Sequence, residues 1–151
     1  MIQTWKATRL AEGGEANVAS SPLAVASGRA ASVAPSDPVV NPGLTVFHPV
    51  HNEAETIGEV LEVVYREVVI PTGAELLVCE DGSTDGTDEV LRRLAKTYPM
   101  RLTAGGSRKG YADAVRDGLQ RVRTPLIFFA DSDGQYDPRD FWRLWPHAGE
   151  Y

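Results

Sequence analysis

From Leu44 onward the chain alternates short apolar runs with amphipathic stretches. Leu44–Pro49 (LTVFHP) is a β-rich run. Glu53–Val69 carries Ile57, Val60, Leu61, Val64 and Val68 on one stripe, which predicts a helix broken at Pro71-Thr72-Gly73. Glu75–Glu80 (ELLVCE) reads as a buried strand. After Asp81–Gly86 a helix is expected through about Thr97, with Val90, Leu91 and Leu94 as its apolar face and Asp85 or Thr87 as its cap. Met100–Ala104 is a weaker strand. Lys109–Val122 is a helix with Ala112, Val115 and Leu119 on one face. Pro125–Ala130 (PLIFFA) is the most apolar strand, and after Asp131–Asp137 a helix opens at Pro138 and runs through Trp145. Its cluster Phe141, Trp142 and Trp145 reads either as core or as a bare apolar face. The order β-α-β-α-β-α-β-loop-α predicts an α/β fold, a mostly parallel sheet with helices on both faces. Such sheets bind ligands at the carboxyl ends of their strands.

Residues 1–42 change the picture of length. Ala, Ser, Gly and Pro supply 21 of those 42 positions, and no period persists. Such a stretch buries too little apolar surface to offset its ordering entropy, so it is expected to be a disordered leader. That leaves one domain, 43–151. The net charge of −6 belongs to this domain, because the leader carries three basic and three acidic residues. The sign argues against a general nucleic-acid binder, which needs a basic face. It suits a protein that holds a divalent cation between carboxylates. Cys79 is the single cysteine, which excludes an internal disulfide framework and a multi-cysteine zinc site. No apolar run approaches the roughly 20 residues of a membrane span. The N-terminus lacks a compact apolar signal core, so a cytoplasmic location is expected.

The polar residues gather where the fold places a site. His51-Asn52-Glu53 follows strand one, Asp81–Gly86 follows strand two, Gly105–Gly110 precedes the third helix, and Asp131–Gln135 follows strand four. Each alone also reads as a turn or a helix cap. Asp131 and Asp133 lie two residues apart in a short loop, so both carboxylates can face one hard cation, with Gln135 adding a neutral oxygen. Asp81 can accept from a nucleobase ring N–H or a ribose hydroxyl. Arg108 and Lys109, in a glycine-rich loop before a helix, can meet a diphosphate.

The segments PVHNEAETI (49–57), VCEDGSTDGT (78–87), GSRKGYADAVRDGL (106–119) and FFADSDGQYDP (129–138) together resemble family 2 glycosyltransferases. The likeness is closest to the polyprenyl-phosphate sugar transferases, such as the dolichol-phosphate mannose synthases, and covers about 45–145. The resemblance implies a Rossmann-like GT-A fold, of which this chain would be the nucleotide-sugar-binding half. It implies transfer of a sugar from a GDP- or UDP-linked donor, with inversion, to an acceptor that is a polyprenyl phosphate at the cytoplasmic membrane face. By matching position, Pro49, His51, Asn52 and Glu53 would line the nucleoside pocket and Asp81 would hold the base or ribose. Asp131 and Asp133, helped by Gln135, would hold Mg²⁺ or Mn²⁺ on the diphosphate.

His51 stands where that family usually has tyrosine, and Glu80 where many members have aspartate. In the family, the segment that binds the acceptor and carries the general base follows the Asp-x-Asp segment. No residue up to Tyr151 is assigned that role, so the isolated chain is expected to transfer no sugar. Two other readings stay open. Asp131-Ser132-Asp133-Gly134 resembles the nucleophile loop of haloacid-dehalogenase-like phosphatases, although it follows strand four and Gln135 replaces their hydroxyl residue. A non-catalytic nucleotide-binding fragment is the second.

Overall fold

In a computed structural model of the chain, the structure describes residues 43–148. The expected leader, 1–42, lies outside the described residues. Four strands form one sheet: β1 (Leu44–Val50), β2 (Glu75–Glu80), β3 (Arg101–Ala104) and β4 (Leu126–Phe129). Their order is β3-β2-β1-β4, and every pairing is parallel. The register runs from Thr45↔Glu75 to Val50↔Glu80 on one side of β1 and from Leu44↔Leu126 to Phe47↔Phe129 on the other. The chain steps outward from β1 to β3 and then returns to the far side of β1. The strand order therefore reverses beside β1, and the crevice between the ends of β1 and β4 is where such a sheet receives a ligand.

Alternation along β1 divides the core. On one face Leu44, Val46 and Val50 pack with Leu76 and Val78 of β2, with Ile57, Leu61 and Val64 of helix α1 (Ile57–Val64), and with Leu91 of helix α3 (Thr87–Leu94). Phe47, Leu77 and Cys79 point to the other face, toward helix α4 (Tyr111–Leu119) and Val122. His48 lies fully buried on β1. Burial pushes its imidazole down to about 4, against weaker upward pulls from the backbone of Ala130 and Asp131 and from the Asp131 carboxylate, so it is neutral at pH 7.

Helix α4 turns only part of the expected face to the sheet: Val115 packs against Phe47, Leu77 and Cys79 as expected. Ala112 and Leu119 are exposed, whereas Ala114 and Gly118 are buried. The cause is Phe47: a Cβ on Gly118 would lie 2.1 Å from its ring. The large ring fills the space, so the helix presents its small residues there.

The first helix also runs past its expected end. A π-helical turn (Tyr65–Val69) and a last α turn, α2 (Ile70–Thr72), carry it to Gly73, which closes it at φ +67°. Pro71 has no N–H for the carbonyl four residues back, Glu67. Trp142 supplies the donor: its indole Nε1 donates to Glu67 O at 2.9 Å. The expected helix 138–145 is a run of three short pieces, a 3₁₀ turn (Pro138–Asp140), α5 (Phe141–Leu144) and a second 3₁₀ turn (Trp145–His147). It holds Phe141 in the core, 5.0 Å from the ring of Phe128, so the aromatic cluster is core. Trp142→Phe keeps most of the packing but leaves the Glu67 carbonyl without that donor. It should cost about 1–2 kcal/mol in urea denaturation, with the helix content of the circular dichroism spectrum preserved.

Candidate functional site

Four loops meet at the carboxyl ends of the strands. The loops after β1 and β2 are clipped together. His51 Nδ1 donates to Asp81 O at 2.9 Å. Asn52, at φ +56°, donates its amide to Ser83 Oγ and accepts from Thr84 N, both at 2.9 Å. Glu53 N donates to Thr87 Oγ1 at 2.8 Å, and Ala54 N donates to Asp85 Oδ2 at 3.0 Å. The hydroxyl of Thr87 and the amides of Ala54 and Thr87 hold the Asp85 carboxyl below its usual range. The N-cap position of α3 is Gly86, which has no side chain to cap with; Asp85, one of the expected caps, accepts from the first helical amide, Thr87 N, at 3.1 Å and also serves this clip, as does the Thr87 hydroxyl. The carboxylate of Glu53 accepts from Thr56 Oγ1 at 2.8 Å, and the Glu53 carbonyl accepts from Thr56 N and Ile57 N at the start of α1.

The glycine-rich loop is docked on Asp81. That side chain is buried, and its two oxygens accept from Lys109 N and Gly110 N, each at 2.9 Å. Two backbone amides of the glycine-rich loop are thus engaged by the protein itself. The Lys109 ammonium pairs with Asp117 on α4 and lowers the carboxyl pKa there. Arg108 is exposed. The approach is close because residue 82 is glycine: a Cβ there would sit 2.4 Å from Arg108 N. A cleft of about 40 Å³ remains beside this loop, lined by Cys79, Asp81, Thr103, Lys109 and Asp117 among others.

The Asp-x-Asp loop is anchored by its middle residue. Ser132 is buried, and its Oγ donates to Pro49 O at 2.9 Å, tying the end of β4 to the end of β1. Asp131 and Asp133 flank that anchor. Asp131 Oδ1 accepts from the Tyr111 hydroxyl at 2.9 Å, a bond that raises the phenol pKa. Asp133 Oδ1 accepts from Gln135 N at 2.9 Å. Among the described residues no three His, Cys, Asp or Glu side chains gather tightly enough to hold a metal unaided. The donor set at Asp131, Asp133 and Gln135 nevertheless fits a hard cation. It is all oxygen, and Mg²⁺ sites commonly use one or two carboxylates with phosphate oxygens completing the shell.

The structure thus brings Pro49, His51, Asn52, Glu53, Asp81, Asp131, Asp133 and the 108–109 loop to one edge of the sheet. The residues assigned no role at the site from sequence are the connectors Ser83, Thr87 (expected only as a helix cap), Ser132 and Tyr111. Their signal is faint: each is a hydroxyl residue inside or beside a motif, and its partner lies 20 to 83 residues away.

Residues 45–151 match the model of the family described as Glycosyl transferase family 2. The chain is 32% identical over 108 residues to a dodecaprenyl-phosphate galacturonate synthase of Rhizobium johnstonii, covering 70% of this chain and 32% of that one. Among solved structures it is similar to the mannosyltransferase PcManGT of Pyrobaculum calidifontis in complex with GDP-Man and Mn²⁺. There the identity is 33%, the TM-score 0.59, and the coverage 69% of this chain and 31% of that one. It is also similar to glucosyl-3-phosphoglycerate synthase of Mycobacterium tuberculosis with Mn²⁺ and UDP bound. That match has 27% identity, a TM-score of 0.55, and coverage of 70% and 39%. The chain spans about a third of the length of the curated relatives it matches. These neighbours are GT-A glycosyltransferases, so the parallel sheet is a GT-A sheet. The phosphatase alternative has no support among these matches. The crevice between β1 and β4 carries the very segments that the match spans, and the chain belongs to glycosyl transferase family 2.

Proposed function

We propose that this chain binds a nucleoside-diphosphate sugar together with Mg²⁺ or Mn²⁺, as the donor-binding part of an inverting glycosyltransferase. The observation that carries it is the anchored Asp131-Ser132-Asp133 loop at the reversal of strand order. Asp131, Asp133 and Gln135 would hold the cation, which supplies Lewis-acid neutralisation of the departing diphosphate. Pro49, His51, Asn52 and Glu53 frame the nucleoside side, Asp81 offers its remaining lone pairs to the base or ribose, and Arg108 and Lys109 lie toward the diphosphate. The acceptor is proposed to be a polyprenyl phosphate at the cytoplasmic membrane face, in keeping with the name of the Rhizobium relative. No helix among the described residues is long and apolar enough to cross a membrane.

The test is calorimetric titration of GDP and of UDP into the 151-residue chain, with Mn²⁺, with Mg²⁺ and in EDTA. Binding that strengthens with metal for at least one nucleotide is expected; the absence of any metal-dependent heat overturns the reading. The general base is proposed to be absent from residues 1–151. Sugar transfer to a polyprenyl phosphate by the purified chain should therefore stay at background, and steady turnover would refute this.

A further inference from the structure

The hydrogen bond between Tyr111 and Asp131 has no evident role in packing. Tyr111 is 61% exposed, so its ring contributes little to the core, yet its hydroxyl is fixed on one of the two central carboxylates. It is the first residue of α4 and follows Gly110, whose N–H is held by Asp81. The sequence of contacts Asp81, Gly110, Tyr111, Asp131 therefore runs from the end of β2 to the end of β4 through the glycine-rich loop. The donor is also neutral. A lysine in this place would orient Asp131 and at the same time compete with a cation; the nearby ammonium of Lys109 is instead held by Asp117. A phenol fixes Oδ1 and leaves the carboxylate its full charge, and a carboxylate has lone pairs for further partners.

We propose that Tyr111 is a positioning residue for the cation: its hydroxyl, donated to Asp131 Oδ1, sets the orientation in which that carboxylate meets the metal. The proposal rests on the metal-dependent nucleotide binding proposed above. Partners that orient ligating carboxylates typically change metal affinity about 10–100-fold when removed.

The test uses the full chain as wild type, Tyr111→Phe and Tyr98→Phe. The last removes a hydroxyl from a ring packed at a tilt against Tyr65 instead. Mn²⁺ is titrated in the presence of GDP or UDP and followed by calorimetry and by loss of the free-Mn²⁺ electron paramagnetic resonance signal. Tyr111→Phe should raise the Mn²⁺ Kd about 10-fold while its Tm and its nucleotide affinity in EDTA stay at wild-type values. Tyr98→Phe should leave the Mn²⁺ Kd unchanged. If wild type binds Mn²⁺ and Tyr111→Phe binds it within twofold, the positioning role is overturned and the functional reading stands. If Tyr111→Phe loses Tm and EDTA-state nucleotide binding together with Mn²⁺, the contact is structural and the proposal also falls. If wild type takes up no Mn²⁺ with either nucleotide, the functional reading falls and this role with it.

Discussion

Asp131→Asn combined with Asp133→Asn should remove metal-dependent nucleotide binding while leaving the fold intact. Asparagine keeps the size of aspartate and one side-chain carbonyl oxygen. The Tyr111 hydroxyl and the Gln135 amide can still donate at their present positions. Ser132 still anchors the loop to Pro49. What is lost is two negative charges, and the affinity of an all-oxygen site follows its ligand charge. A fall of 100-fold or more in Mn²⁺ affinity, about 2.7 kcal/mol, is expected by calorimetry with GDP and UDP. Thermal stability should stay level or rise slightly, because two carboxylates in one loop repel until a cation joins them. Metal-dependent binding that survives this double change would place the cation away from the Asp-x-Asp loop.

The location of these acids was legible in the sequence because it depends on local signals. Each motif follows an apolar run, and the order of runs fixes which edge of the sheet they share. Strand β2 was readable to the residue, since Gly73 and Asp81 bracket it and Leu76 to Cys79 form an unbroken apolar run between Glu75 and Glu80. What could not be read depends on tertiary distance. The end of the first helix was misplaced because Pro71 is normally a stop. Here the carbonyl it leaves free is satisfied by Trp142, 75 residues away. The buried face of α4 was partly misassigned because pattern reading favours large apolar residues. Phe47 instead leaves no room for a side chain at 118, so Ala114 and Gly118 are buried and Leu119 is not, while Val115 keeps its expected contact.

The site shows the same division. Asp81, Asp131 and Asp133 were identifiable as residue types at strand ends, whereas their partners follow from register. Ser132 meets Pro49 only because β4 lies beside β1, and Tyr111 meets Asp131 only because α4 starts above that junction. Asn52 and Glu53 carry both readings at once. Their backbone amides fasten the loop after β1 to the loop after β2, as the turn reading holds, and they do so at the rim of the crevice.

Gly82→Ala should be the most damaging single methyl group that can be added to this site. Gly82 has φ +64°, where an L side chain costs about 1–2 kcal/mol. The added Cβ would lie 2.4 Å from Arg108 N and 2.6 Å from Ser107 C. These are backbone atoms, so no rotamer change relieves the contact, and overpacking of that kind adds about 1–3 kcal/mol. The loop must move as a unit, and Asp81 then loses the amides of Lys109 and Gly110. A buried carboxylate without its donors adds a further cost. A total loss of about 4 kcal/mol is expected from urea denaturation, with nucleotide binding weakened in parallel. Gly106→Ala is the matched control. It lies in the facing glycine-rich loop, its Cβ would meet nothing within 4 Å, and it should stabilise by about 0.4–1 kcal/mol through the unfolded chain. If Gly82→Ala stays within about 1 kcal/mol of wild type, close contact between the loops at 82 and 108 is not what holds the Asp81 latch shut.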